Sequence, residues 1–276
     1  MKKRTLTNTL TYAFLLIFTV IQVYPLFWLF TFSLKNNDEI FGGNVAGLPA
    51  HWLWGNYGKA WVDGNVGRYF INTLVVTLLT IGGTVVFAAM AGYAISRMKW
   101  KFQRTALTIF LLGLMIPIHA ALLPLFVAYV KIKILNTYIC LVIPYIAFAL
   151  PLAIYIYVGF TEGIPKEMEE SAFLDGCNIY RCFFRIILPL LKPVFATVTI
   201  LTFINTWNEF MLASIFMTKS EMKTLTVGIQ EMVGQFTTSW GPIGAALVMA
   251  SIPTLFMYIV MSKEVQKSFI TGAVKG

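Results

Sequence analysis

Charge is scarce in this 276-residue chain. Only 12% of its residues are Asp, Glu, Lys or Arg and 58% are hydrophobic, where a soluble domain carries about 25% charged residues. This excludes a water-soluble globular domain and places the chain in a bilayer. Cysteine is sparse as well. Cys140 lies in an apolar run, Cys177 and Cys182 lie in a charged island, and neither a CxxC nor a histidine cluster accompanies them. These spacings suit neither zinc nor a disulfide framework, so the three read as reduced and structural. No metal site, cofactor site or catalytic residue is expected. A phosphate-binding loop is missing too. The nearest match, Gly55-Asn56-Tyr57-Gly58-Lys59, lacks the GxxxxGK[ST] spacing. There is no internal repeat, whereas a secondary transporter usually shows two similar halves. A membrane enzyme would gather ionisable residues in a cavity, and only Glu209 is deeply placed. The net charge of +9 is not a nucleic-acid signal, because the basic residues sit at the ends of apolar runs, where they act as topology signals.

What the chain has is apolar length. A transmembrane helix needs about 20 apolar residues, and six segments qualify: 10–34, 70–95, 105–127, 139–160, 190–216 and 243–262. The first follows Lys2, Lys3 and Arg4 but is too long for a signal peptide, and no small-x-small site follows it. It is read as a retained anchor. With the N-terminus inside, segments 2–4, 97–104, 166–192 and 263–275 hold twice as many Lys and Arg as segments 35–68, 131–133 and 219–223. That bias puts both termini in the cytoplasm. The long first outside loop carries Trp52, Trp54, Tyr57 and Trp61, which suits a short helix in the headgroup region or a contact for an extracytoplasmic partner. Ala88 and Gly92 form a small-xxx-small pair for close helix packing. Pro25, Pro117, Pro124, Pro144, Pro151 and Pro253 each can kink a helix. His119 and Gln22 read as helix–helix hydrogen-bonding groups.

Between the fourth and fifth apolar segments lies a charged island. Met168, Ala172 and Phe173 before Gly176, and Ile179, Phe183, Ile186 and Ile187 after it, keep a helical period. Asp175-Gly176 is a turn signal, so the spacing predicts helix–turn–helix. Pro165 and Glu167, Glu169 and Glu170 suit a helix start, and Pro189 and Pro193 mark the return to the bilayer.

The island carries Glu170-Ser171-Ala172, three residues, Gly176, nine residues, then Ile186-Ile187-Leu188-Pro189. In this it resembles the permease subunits of ABC importers, whose loop reads Glu-Ala-Ala, three residues, Gly, nine residues, Ile-x-Leu-Pro. Ser171 is the one departure, and it is still small. Asn72-Thr73, Ile164-Pro165-Lys166-Glu167, Trp207-Asn208-Glu209-Phe210 and the terminal Gly272-Ala273-Val274-Lys275-Gly276 extend the resemblance to the carbohydrate-uptake branch. Within it, the chain is similar to the smaller of two paired permeases, the maltose-type second subunit. The resemblance implies an all-α membrane protein of the type I importer permease fold, with six transmembrane helices and both termini cytoplasmic. It implies one membrane domain over 1–276: a first accessory helix at 10–34 and a transport core at 70–262 that includes a coupling loop at 161–189. Glu169, Glu170, Ser171, Ala172, Asp175, Gly176, Phe183, Ile186, Leu188 and Pro189 would form the element that couples to an ATPase. The implied partners are a second permease (as a heterodimer), two ATPase subunits that hold the ATP and Mg, an extracytoplasmic sugar-binding protein and lipid. Nucleic acid is not among them.

Thr202, Asn205 and Glu209 are three and four residues apart and share a helix face, with Asn208 beside them. A carboxylate inside a span costs about 2.5–3.5 kcal/mol, so it is expected to face a cavity or a partner. This stripe either lines the substrate path or gate, or makes structural hydrogen bonds. The expected function is a permease for a sugar, in particular an oligosaccharide; the alternatives are another polar solute or a secondary transporter.

Overall fold

A computed structural model describes the backbone of residues 2–234 and 238–273, and the side chains of residues 8–234 and 238–261. The last three residues of the terminal Gly272–Gly276 signature lie outside the described residues, as do the side chains of the charged residues at both ends. All regular structure among the described residues is helical. The helices are α1 Lys2–Phe32, α2 Asn37–Phe41, α3 Gly55–Val62, α4 Val66–Ser96, α5 Gln103–Gly113, α6 Leu122–Ile132, α7 Tyr138–Thr161 and α8 Glu167–Leu174. They continue as α9 Ile179–Leu190, α10 Lys192–Trp207, α11 Met211–Phe216, α12 Leu225–Glu231 and α13 Trp240–Ala273.

Among the described residues, four helices are long and apolar enough to cross a membrane: α1 from Asn8, α4, α7 and α13 as far as Met261. Two further pairs qualify when each bent pair counts as one span. In these two pairs the helix is not continuous across segments 105–127 and 190–216. The first is broken between α5 and α6, which meet at 89°. Pro117 has no N–H to give the helix and pushes the residue before it out of helical geometry, and a short 3₁₀ turn at Ile118–Ala121 restarts the chain. The second breaks twice. The chain bends by 73° between α9 and α10, beside Pro189 and Pro193, and α10 stops at Trp207. By contrast, Pro25, Pro144, Pro151 and Pro253 lie inside continuous helices.

The chain divides into two compact units, residues 1–67 with 228–253 and residues 68–227 with 254–276. In the first unit, α1 buries almost nothing along its apolar length. Leu10, Phe14, Leu16 and Ile21 are each more than half exposed, so lipid or a partner is its solvent. The outer-loop segment does form a short helix, α3, with Trp52, Trp54 and Tyr57 stacked in series beside it. Lys35 is fully buried, and its ammonium donates to the carbonyls of Asn44 (2.6 Å) and Gly47 (2.7 Å). It therefore holds the 42–48 loop closed and is no simple topology charge. Asn56 clamps the same segment by donating to Ser33 and Lys35 carbonyls at 2.9 and 3.0 Å.

Two apolar clusters stand out among the described residues of the second unit. One joins Ala88, Tyr93 and Ile95 of α4, Ala153, Tyr157 and Val158 of α7, Ala172 of α8, Phe183 and Ile187 of α9, and Val194 of α10. The other joins Val76, Tyr129, Leu141, Tyr145, Leu212 and Phe216. Asn72-Thr73 acts as a clamp near one end of α4. The Asn72 amide donates to the Glu221 and Lys223 carbonyls, both at 2.9 Å, and its oxygen accepts from Tyr138. The Thr73 hydroxyl accepts the Leu225 N–H at 2.7 Å. These bonds satisfy backbone groups of an irregular segment that no helix could satisfy.

Candidate functional site

Both candidate sites fall within the second unit. The island folds as expected, with α8 and α9 joined by a tight turn. Gly176 sits in that turn at φ +80° with nothing within 4 Å of where a Cβ would stand. Its requirement is therefore left-handed backbone and not crowding. Asn178 begins α9 as its N-cap, accepting the Arg181 N–H at 2.9 Å. Asn at a helix start is a legible signal that the periodicity argument passed over. α9 carries a π-helical turn at Phe183–Ile187; such turns are rare and concentrate at functional sites. The Ser171 hydroxyl donates to its own helix, to the Met168 carbonyl at 3.2 Å. The departure from Ala therefore asks nothing of the surroundings.

The island has two faces. Glu169, Ala172 and Phe183 turn into the chain, and Ile186 and Leu188 are half-buried against the same core. Glu170, Ser171, Asp175, Gly176 and Pro189 are exposed. Beside them stand large apolar side chains in the open: Leu174 is 88% exposed, Tyr180 72% and Phe184 59%. An outward apolar knob flanked by charge is how a docking surface presents itself.

Glu169 meets Arg97, the residue just after α4. Arg97 Nε lies 3.2 Å from Glu169 Oε1, with both side chains almost fully buried. The Arg97 Nη2 donates to the carbonyls of Thr161, at the end of α7, and Ile164. Burial pushes the Glu169 carboxyl up from its ordinary range, more than Arg97 and a hydrogen bond from Tyr93 pull it down. The neighbouring Cys182 thiol is also pushed up by burial. Both buried cysteines, Cys140 and Cys182, are free. Arg97 was counted in the charge bias as one positive residue among several. Its burial is a tertiary fact, and only its position at the very end of an apolar run hinted at it.

The second site is a cleft of about 310 Å³. Thr202, Asn205 and Glu209 line it, together with Tyr145, Phe148 and Ala149 of α7. Asn208 does not, and its amide instead donates to the Ile204 carbonyl at 2.8 Å. Glu209 is also not inside a continuous helix. It lies past the end of α10 and caps α11. Its carboxylate accepts from the N–H of Leu212 (2.8 Å) and of Ala213 (3.1 Å) and from the Tyr145 hydroxyl. A helix break leaves orphan N–H groups, and a carboxylate there satisfies them while meeting the positive end of the backbone dipoles. His119 lies exposed in the 3₁₀ turn, and Gln22 is exposed on α1. No group of three or more His, Cys, Asp or Glu that could hold a metal ion occurs among the described residues.

Residues 84–267 match the family described as binding-protein-dependent transport system inner membrane component. The chain belongs to this family. It is 35% identical over 269 residues to the probable ABC transporter permease protein YurM of Bacillus subtilis, covering 98% of this chain and 89% of that protein. It is 31% identical over 268 residues to the diacetylchitobiose uptake system permease protein NgcG of Streptomyces coelicolor, covering 96% and 88%. In structure it matches a chain of a bacterial ABC transporter involved in the import of the acidic polysaccharide alginate. The TM-score is 0.83 with 22% identity, covering 95% of this chain and 98% of that one. The fold is thus that of an ABC importer permease, and the protein is a multi-pass inner-membrane component. A permease of this family works within an importer that also contains ATPase subunits and a binding protein.

Proposed function

We propose that this permease is the smaller, maltose-type subunit of a sugar importer and that its cargo is an oligosaccharide. The carrying observation is the two-faced island: its inner face packs on the chain's own core, and its outer face leaves Leu174, Tyr180 and Phe184 open. That outer face is the surface for an ATPase subunit, with Glu170, Ser171, Asp175 and Gly176 at its centre. ATP and Mg are bound, and the ATP is hydrolysed, in that ATPase subunit and not in this chain. The charge bias supports a cytoplasmic island and cytoplasmic termini. The full assembly is this chain, a second permease, two ATPase subunits and an extracytoplasmic binding protein. The core at 70–262 forms the transport unit, with 10–34 as an accessory helix. The sugar reading rests on the NgcG likeness and on the cleft, where Thr202 and Asn205 offer a hydroxyl and an amide beside the Phe148 ring, the pairing of polar group and aromatic surface that suits sugars.

Gly176→Arg tests the coupling. A side chain is strained at φ +80° by about 1–2 kcal/mol, and Arg adds bulk at the centre of the docking surface. The variant is expected to insert normally while the purified complex loses binding-protein-stimulated ATP hydrolysis. Wild-type hydrolysis in that variant would sink the coupling role. Uptake by cells over a panel of labelled oligosaccharides tests the cargo. If none is taken up by cells that carry an intact complex, the cargo is another polar solute.

A further inference from the structure

Three chain segments converge on the Arg97 guanidinium. Arg97 itself ends α4, its Nη2 holds the carbonyls of Thr161 and Ile164 at the end of α7, and its Nε faces Glu169 of α8. Tyr93, one turn earlier on α4, stands beside Glu169 and packs its ring on Phe183 of α9, with centroids 4.9 Å apart. The other side chain that α8 buries is Ala172. Of the two side chains that α8 buries, Glu169 is the one in ionic contact with Arg97.

We propose that the Arg97–Glu169 pair is the joint that transmits movement of the island to α4 and α7, with Arg97 as its positioning residue. This rests on the coupling reading above and goes beyond it by naming the inner link. A pair that served only stability would be a poor choice here. A buried ion pair is often no more stabilising than apolar residues of the same volume, but it fixes geometry. Guanidinium suits that task, because its planar fork holds several acceptors in set directions while an ammonium is a point charge. The pair is also incompletely engaged. Nε and Oε1 are in ionic contact at 3.2 Å, yet both are buried without a hydrogen bond. Unsatisfied buried groups are costly and call for an explanation. An ionic contact short of a hydrogen bond can tighten or loosen as α8 moves, which is what a transmission element requires.

The test uses the whole complex, purified through a tag on this chain and placed in lipid nanodiscs. Ala149→Cys in the cleft, on a Cys177→Ser background, reports access to a methanethiosulfonate reagent with and without ATP plus vanadate. Glu169→Gln keeps the shape and an acceptor for Tyr93 but removes the charge. Arg97→Lys keeps the charge but removes the fork. Both variants are expected to retain their ATPase subunits while the ATP-dependent change in labelling falls about fivefold or more, the low end of coupling between linked sites. An unchanged response in both overturns the joint. So does loss of the ATPase subunits in Glu169→Gln, which would make Glu169 a docking residue. Failure of both variants to accumulate would make the pair a folding lock and would also overturn it. Leu174→Asp separates this from the coupling reading. It alters only the outer face, so retained ATPase subunits and a wild-type response there would sink the docking surface itself. Their loss in Leu174→Asp, alongside full response in Glu169→Gln, would sink the joint alone.

Discussion

Glu209 shows how a residue's type can be read from sequence while its task cannot. An acidic residue in an apolar run announces a partner, and the partners turn out to be the Leu212 and Ala213 N–H groups and the Tyr145 hydroxyl. The carboxylate closes a helix break and lines the cleft at once. Glu209→Gln removes one of its acceptor oxygens, so the Ala213 N–H is left facing an amide N–H₂. Loss of a cap costs about 0.5–2 kcal/mol. The variant is expected to assemble with its partners and to unfold at a lower temperature in detergent, with Glu209→Ala lower still. Equal unfolding midpoints for the three proteins would refute the capping role. Arg97 and Lys35 teach the same lesson in the other direction. Both read as charges at the ends of apolar runs, and both are buried, because each finds backbone carbonyls that the sequence does not bring together locally.

Pattern serves better for helices. The period of apolar residues about Gly176 located α8, α9 and their turn, because a helix repeat and a left-handed glycine are local properties. The small pair Ala88 and Gly92 anticipated a close approach, and α4 does approach α7 there. A Cβ on Gly92 would stand 2.6 Å from the Cβ of Tyr157, a rigid part of a buried residue. A Cβ on Gly83 would meet first the Cδ1 of Ile146, the movable end of a flexible side chain, and then its Cγ1 at 3.2 Å. Replacing Gly by Ala in a helix gains about 1 kcal/mol in propensity, and overpacking costs about 1–3 kcal/mol. Gly92→Ala is therefore expected to lower the thermal midpoint of the purified complex, and Gly83→Ala to leave it level or raise it. The reverse order would show that α4 and α7 do not pack as described. The breaks in the third and fifth spans were not legible in the hydropathy. Apolar character continues across them, and Pro117 breaks its helix where Pro144 and Pro151 do not.

At the scale of the whole molecule the decisive quantity is orientation, because the proposed coupling needs the island on the side where ATP is hydrolysed. A single cysteine at exposed Ser220 is expected to react with an impermeant maleimide added outside intact spheroplasts. One at exposed Lys101, in the 97–104 segment that the charge bias puts on the island's side, should react only after the membrane is opened. The opposite labelling pattern would invert the topology and remove the ATPase from the island's side.

Composition, span lengths and the spacing of the island were enough to place this chain in a membrane and to expect a permease. Each depends on local free energies, such as transfer into lipid, helix periodicity and a turn glycine, that neighbouring residues set among themselves. Tertiary structure alone decided that Arg97 joins α4, α7 and α8, that Glu209 caps a broken helix, and that Asn208 turns away from the cleft. Those outcomes depend on which buried donors and acceptors remain unpaired once distant segments pack, and a buried polar group takes whatever partner the fold brings within reach.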